Sequence, residues 1–97
     1  YCQAWVADVY QAVTGSRGSA HCALCAADMW AVSSDFSQIP VGATVYGYSS
    51  SKYGHVGIYI GNGMVAHNIG EIKIQSLESW IETYKGFAWG WENDKKL

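Results

Sequence analysis

An α+β fold is predicted for this chain by three observations. Apolar residues recur at helical spacing through the first thirty positions, β-branched and aromatic residues dominate from Ala43 onward, and a glycine-rich turn, Gly61-Asn62-Gly63, separates two apolar runs. Helical segments come first and extended segments follow, so the expected arrangement is N-terminal helices packed on one side of an antiparallel β-meander sheet.

From Cys2 to Val13, the residues Trp5, Val6, Val9, Tyr10 and Val13 fall on one stripe of an amphipathic helix, which Thr14-Gly15-Ser16 ends. A second helix is predicted from Ser19 to Trp30, with Ser19 as N-cap. Its small residues, among them Cys22, Cys25 and Ala26, imply close packing. Val32 to Gln38 reads as loop. Pro40 and Gly42 introduce the first strand, Ala43 to Tyr48. After the polar loop Ser49 to Lys52, His55 to Ile60 and Met64 to Asn68 form a hairpin around Gly61-Asn62-Gly63, whose residues accept positive φ. Further strands are expected at Glu71 to Gln75 and Phe87 to Trp91, with a short helix at Leu77 to Thr83 and a polar tail from Asn93.

A chain of 97 residues forms one domain, 1–97. Its 49% hydrophobic and 14% charged residues argue against intrinsic disorder. Its formal charge of −2 and scattered basic residues remove the electrostatic footprint of a nucleic-acid binder, and its apolar runs are too short to span a bilayer. A monomer is expected. Three cysteines, Cys2, Cys22 and Cys25, cannot all pair within one chain, so at least one thiol is left over. No charged segment followed by an apolar one precedes the domain, so an export route is not legible here.

Cys2 opens the first helix, where unpaired amides and the positive end of the helix dipole lower a thiol's pKa. His55 and His67 lie on the two arms of the hairpin, and parity decides whether their rings share a face. A two-residue Asn62-Gly63 turn would separate them. A three-residue loop pairs Gly57 with His67 and brings them together; that register is the expectation. One imidazole can then take the thiol proton while the other fixes its tautomer.

These residues, together with Ile39-Pro40-Val41-Gly42-Ala43-Thr44-Val45 and Gly54-His55-Val56-Gly57-Ile58-Tyr59-Ile60-Gly61-Asn62-Gly63, resemble the NlpC-type cell-wall cysteine peptidases, a papain-like family. The CHAP amidases, which share a similar hairpin, are the near relative. The resemblance implies a papain-like fold, Cys2 as nucleophile, His55 as general base and His67 as its orienting residue, with Asn68 the reserve third member under the other register. It also implies a peptidoglycan stem peptide as substrate, and a protein secreted, associated with the cell wall or delivered to it. No metal or organic cofactor is needed, because thiolate, imidazole and oxyanion donors suffice.

The chain departs from the family around its nucleophile. Tyr1 precedes Cys2 where the family has Asp, and Gln3-Ala4 follows where it has Ser-Gly, which leans toward the CHAP group. The family keeps substrate-binding residues upstream of its Cys, so a longer parent or a processed N-terminus is expected. A CHAP-like N-acetylmuramoyl-L-alanine amidase and a non-catalytic wall-binding module of the same fold are the alternative functions.

His21-Cys22-Ala23-Leu24-Cys25 carries a CxxC spacing without a second Cys pair, so Cys22 and Cys25 are expected to be metal-free, unpaired helix-packing residues. Trp5, Trp30, Trp80, Trp89 and Trp91 are read as core, with a substrate groove as the alternative.

Overall fold

The computed structural model describes residues 2–20, 22–49 and 52–96, with Cys2 represented by its backbone. Expectations for Tyr1, His21, Ser50, Ser51 and Leu97 lie outside the described residues. Among the described residues three α-helices, α1 (Cys2–Thr14), α2 (Ala23–Trp30) and α3 (Leu77–Tyr84), accompany six strands. These are β1 (Ala31–Ser33), β2 (Thr44–Gly47), β3 (His55–Gly61), β4 (Met64–Asn68), β5 (Ile72–Ser76) and β6 (Gly86–Gly90). All pairings are antiparallel, in the order β1-β6-β2-β3-β4-β5.

The α+β class stands, but the helices cover both faces of the sheet. Tyr46, Val56 and Ile58 pack with Val6 and Tyr10 of α1 and Ala23, Ala26, Ala27 and Trp30 of α2. Val45, Val65 and Trp89 face the other way, toward Trp80, Leu77, Ile81 and Tyr84 of α3. Val45 and Tyr46 are successive residues of β2, so their side chains point to opposite faces, and both are fully buried. A strand buried on both faces needs a layer on each, and burial is unbroken from Ala43 to Tyr46.

The meander also holds only in part. Strands β2 to β5 follow one another, but after α3 the chain returns to place β6 beside β2. There β6 also pairs with β1, a three-residue edge strand where a loop was expected, through Ala31↔Gly90 and Ser33↔Trp89. Its partner creates this strand: Gly90 has no Cβ, and a side chain there would collide with the Trp30 carbonyl.

Helix α2 begins four residues later than Ser19. Cys22 is its N-cap, with extended backbone (φ −154°, ψ 165°), and its Sγ accepts the Cys25 amide at 3.0 Å. Cys22 and Cys25 form a disulfide with Cα atoms 5.0 Å apart, which corrects the expectation that they are unpaired. That expectation assumed both cysteines on a regular helix. With Cys22 outside the helix the chain turns inward, and Ala23, Ala26 and Ala27 supply the small-residue packing. Trp30, Trp80 and Trp89 are buried core, whereas Trp5 and Trp91 are half-buried at its margin.

Candidate active site

The β3–β4 hairpin places the two histidines. Asn62 (φ 52°) and Gly63 (φ 70°) close a two-residue turn, correcting the expected three-residue loop. A bulge between Tyr59 and Gly61 inserts one residue and restores the parity. Ile58 therefore pairs with Ala66, which sets Gly57 opposite His67, and the two imidazoles share the face that α3 covers. Gly57 keeps the space between them open. A Cβ there would lie 2.7 Å from Val65 Cγ1 and 3.2 Å from His67 Cβ.

His55 Nε2 and His67 Nδ1 are 2.7 Å apart, and His67 Nε2 is 2.8 Å from Gln75 Oε1. Gln75 in turn donates from Nε2 to Ser79 Oγ at 3.1 Å. This network assigns the protons. An amide oxygen only accepts, so His67 carries its proton on Nε2 and accepts at Nδ1 a hydrogen bond from His55 Nε2–H. Neutral His55 then presents its lone pair at Nδ1, the nitrogen turned from His67. The chain thus orders a base, an orienting imidazole and an amide that holds the orienter's tautomer.

Helix α3 supports this chain from below. Ser76 caps it by accepting the Ser79 amide at 3.1 Å, and Trp80 and Tyr84, one turn apart, meet both rings. His55 lies over Tyr84 at 4.3 Å between ring centroids and over Trp80 at 5.8 Å, while His67 meets them edge-on. Burial pulls the His55 pKa from 6.5 to about 4, aided by neighbouring His67. Burial lowers that of His67 too, against the opposing effect of the Gln75 hydrogen bond. Both imidazoles are therefore neutral at pH 7.

The structure brings His55 and His67 together and leaves Asn68 out. Asn68 Oδ1 accepts the Gly70 amide at 2.9 Å in the turn that leaves β4. Cys2 is the first residue of α1, whose first turn contains no acidic side chain. Its thiol, and with it the expected contact between Cys2 Sγ and His55, lies outside the described residues. Sequence reading missed Gln75. It sits on β5 two positions beyond Lys73, the residue paired with His67, and only the β4–β5 register reveals the diagonal. Among the described residues no cluster of three or more His, Cys, Asp or Glu side chains is placed to hold a metal ion.

Beside the start of β3, the Leu24 amide donates to the Tyr53 carbonyl at 3.0 Å. Leu24 also packs where a side chain on Gly54 (φ 75°) would stand, so the disulfide-bridged turn abuts the residues leading into His55. In comparisons with known proteins, the chain matches no family model and no curated protein sequence.

Proposed function

We propose that this protein is a cysteine hydrolase of the NlpC type, papain-like in fold, that cleaves peptide bonds in the stem peptides of bacterial peptidoglycan. The observation that carries this reading is the 2.7 Å bond between His55 Nε2 and His67 Nδ1, which leaves His55 Nδ1 free of its proton in the neutral ring. The sequence resemblance around Cys2 and His55 to His67 supplies the substrate class, and the helix start supplies a setting that favours a thiolate.

In this mechanism His55 Nδ1 takes the Cys2 thiol proton, and the thiolate attacks the peptide carbonyl carbon. The resulting imidazolium is held by His67, itself fixed by Gln75. Amides of the first turn of α1, which have no partner within the helix, receive the tetrahedral oxyanion. His55 returns its proton to the leaving amine as the C–N bond breaks. Water, deprotonated by the same imidazole, then releases the acyl group and regenerates the thiol. The imidazoles stand on the α3 face and α1 packs on the other, so the reading requires the thiol to meet His55 at the end of the sheet where β3 begins.

The test is mass spectrometry of intact peptidoglycan and purified stem peptides after digestion, with Cys2→Ala alongside. A new peptide terminus within the stem, absent from the Cys2→Ala digest, is expected. Release of intact stems from muramic acid would instead assign the CHAP-like amidase, and no cleavage of either substrate would reject the hydrolase.

A further inference from the structure

Glu92 has no solvent exposure, and the acyl-transfer chemistry gives it no part. It belongs to the 3₁₀ turn after β6, Glu92–Asp94. Gln3 Nε2 donates to both of its carboxylate oxygens at 3.0 Å, across 89 positions of sequence. Gln3 is itself only 6% exposed. Gly18 makes room for the carboxylate, because a side chain there would collide with Glu92 Oε2 and with Trp30. Burial pushes the Glu92 carboxyl pKa upward, while the Gln3 bond and the nearby Arg17 guanidinium pull against that shift.

A buried carboxylate adds little stability over a well-packed apolar side chain, since desolvation offsets what its hydrogen bonds return. What such a group can supply is a fixed direction. Gln3 directly follows Cys2, in the turn of α1 whose amides lack helical partners and which would otherwise be free to fray. Two hydrogen bonds from a buried side chain to a distant element remove that freedom.

We propose that the Gln3–Glu92 pair is a positioning device for the nucleophile. It holds the first turn of α1 where Cys2 meets His55 and where the Cys2 amide meets the oxyanion. The inference rests on the hydrolase reading, and it assigns the role to the hydrogen bond rather than to the carboxylate's charge. Glu92→Gln keeps the shape and one acceptor oxygen for Gln3 Nε2, so it removes the charge and one of the two hydrogen bonds while leaving the link between the two side chains in place. Gln3→Met keeps volume and removes the bond. Glu92→Asp keeps the charge but withdraws it by one methylene.

The experiment measures kcat and KM on a stem peptide together with the pH profile of Cys2 alkylation by iodoacetamide, thermal melts establishing that each variant is folded. Gln3→Met and Glu92→Asp are each expected to lower kcat by about tenfold or more with KM within about twofold, and to move the alkylation midpoint to higher pH. Glu92→Gln should stay within about threefold of the parent. If Gln3→Met does not fold, Glu92→Asp decides by the same criterion. Parental kcat and alkylation in folded Gln3→Met or Glu92→Asp would overturn the proposal, as would a loss in Glu92→Gln equal to theirs. A parent protein that cleaves no stem peptide, yet whose alkylation midpoint moves in Gln3→Met and not in Glu92→Gln, would leave this device standing and reject the substrate reading alone.

Discussion

His55 and His67, twelve positions apart on adjacent strands, share a 2.7 Å hydrogen bond between Nε2 of the first and Nδ1 of the second. Their rings stand 80° to one another, so His67 meets the edge of His55 and leaves the far side of that imidazole turned away. An edge-on imidazole can fix a tautomer without competing for the nitrogen that does the chemistry. This arrangement sets the order of losses when the site is taken apart.

Cys2→Ala is expected to abolish turnover, and His55→Ala to come close to it, because no other group moves the proton. His67→Ala should lose on the order of 10–10⁴-fold, with His67→Asn or His67→Gln retaining more. Gln75→Ala should lose less than His67→Ala, since it frees the orienter's tautomer without removing the orienter. Asn68→Ala should match the parent, because its side chain serves the Gly70 turn. Steady-state rates on a stem peptide measure this ordering, and a collapse in Asn68→Ala with parental His67→Ala would exchange their roles.

Gly57→Ala should damage both stability and turnover. The new methyl meets Val65 Cγ1 at 2.7 Å and the Ala66 carbonyl oxygen at 3.0 Å, so β4 must shift, and His67 with it. Overpacking of this kind costs about 1–3 kcal/mol, readable by urea denaturation. Turnover should fall with it, and a parental rate would show that the histidine pair tolerates displacement of β4.

The low His55 pKa has a pH signature. The unfolded imidazole binds a proton near its ordinary 6.5 and the folded one only near 4, so between these values the unfolded state holds more protons. Stability from this group is therefore present above about pH 6.5 and lost as pH falls toward 4. The raised Glu92 pKa slopes the other way, since the folded state there holds the extra proton. Urea midpoints of the parent and His55→Gln, compared from pH 7 to pH 4, isolate the histidine. The parent should lose more stability than the variant, and equal slopes would show that folding leaves His55 unshifted.

Cys22 and Cys25 should leave one thiol in the protein. Alkylation of unreduced, denatured protein is expected to label Cys2 alone, and reduction should expose three sites by mass spectrometry. Cys22→Ala removes the N-cap acceptor of α2 as well, for a loss of about 1 kcal/mol on the scale of helix caps, part of which Cys22→Ser should restore. Labelling of all three thiols before reduction would refute the disulfide.

The sequence by itself determined the pieces whose causes are local. The stripe of Trp5, Val6, Val9 and Tyr10 marks α1, and the residues of positive φ at Gly61, Asn62 and Gly63 mark the hairpin, because periodicity and turn chemistry act within a few residues. They did not settle that His55 and His67 share a face: that expectation rested on a three-residue loop, whereas the turn has two residues and the bulge between Tyr59 and Gly61 restores the parity. Tertiary structure alone decided which face. Each strand shows its alternation, but only the layering of α1 and α2 against α3 tells which side each element covers. The same holds for partners distant in sequence. Gln75 reaches His67 through the β4–β5 register, and Gln3 reaches Glu92 from the opposite end of the chain. Cys22 and Cys25 looked like helix positions, but the helix starts between them: Cys22 is the N-cap, and the Leu24 amide of the first turn is taken by the Tyr53 carbonyl, a partner distant in sequence. Such contacts follow from where whole elements dock, and docking is the sum of many weak apolar contacts that no short segment carries alone.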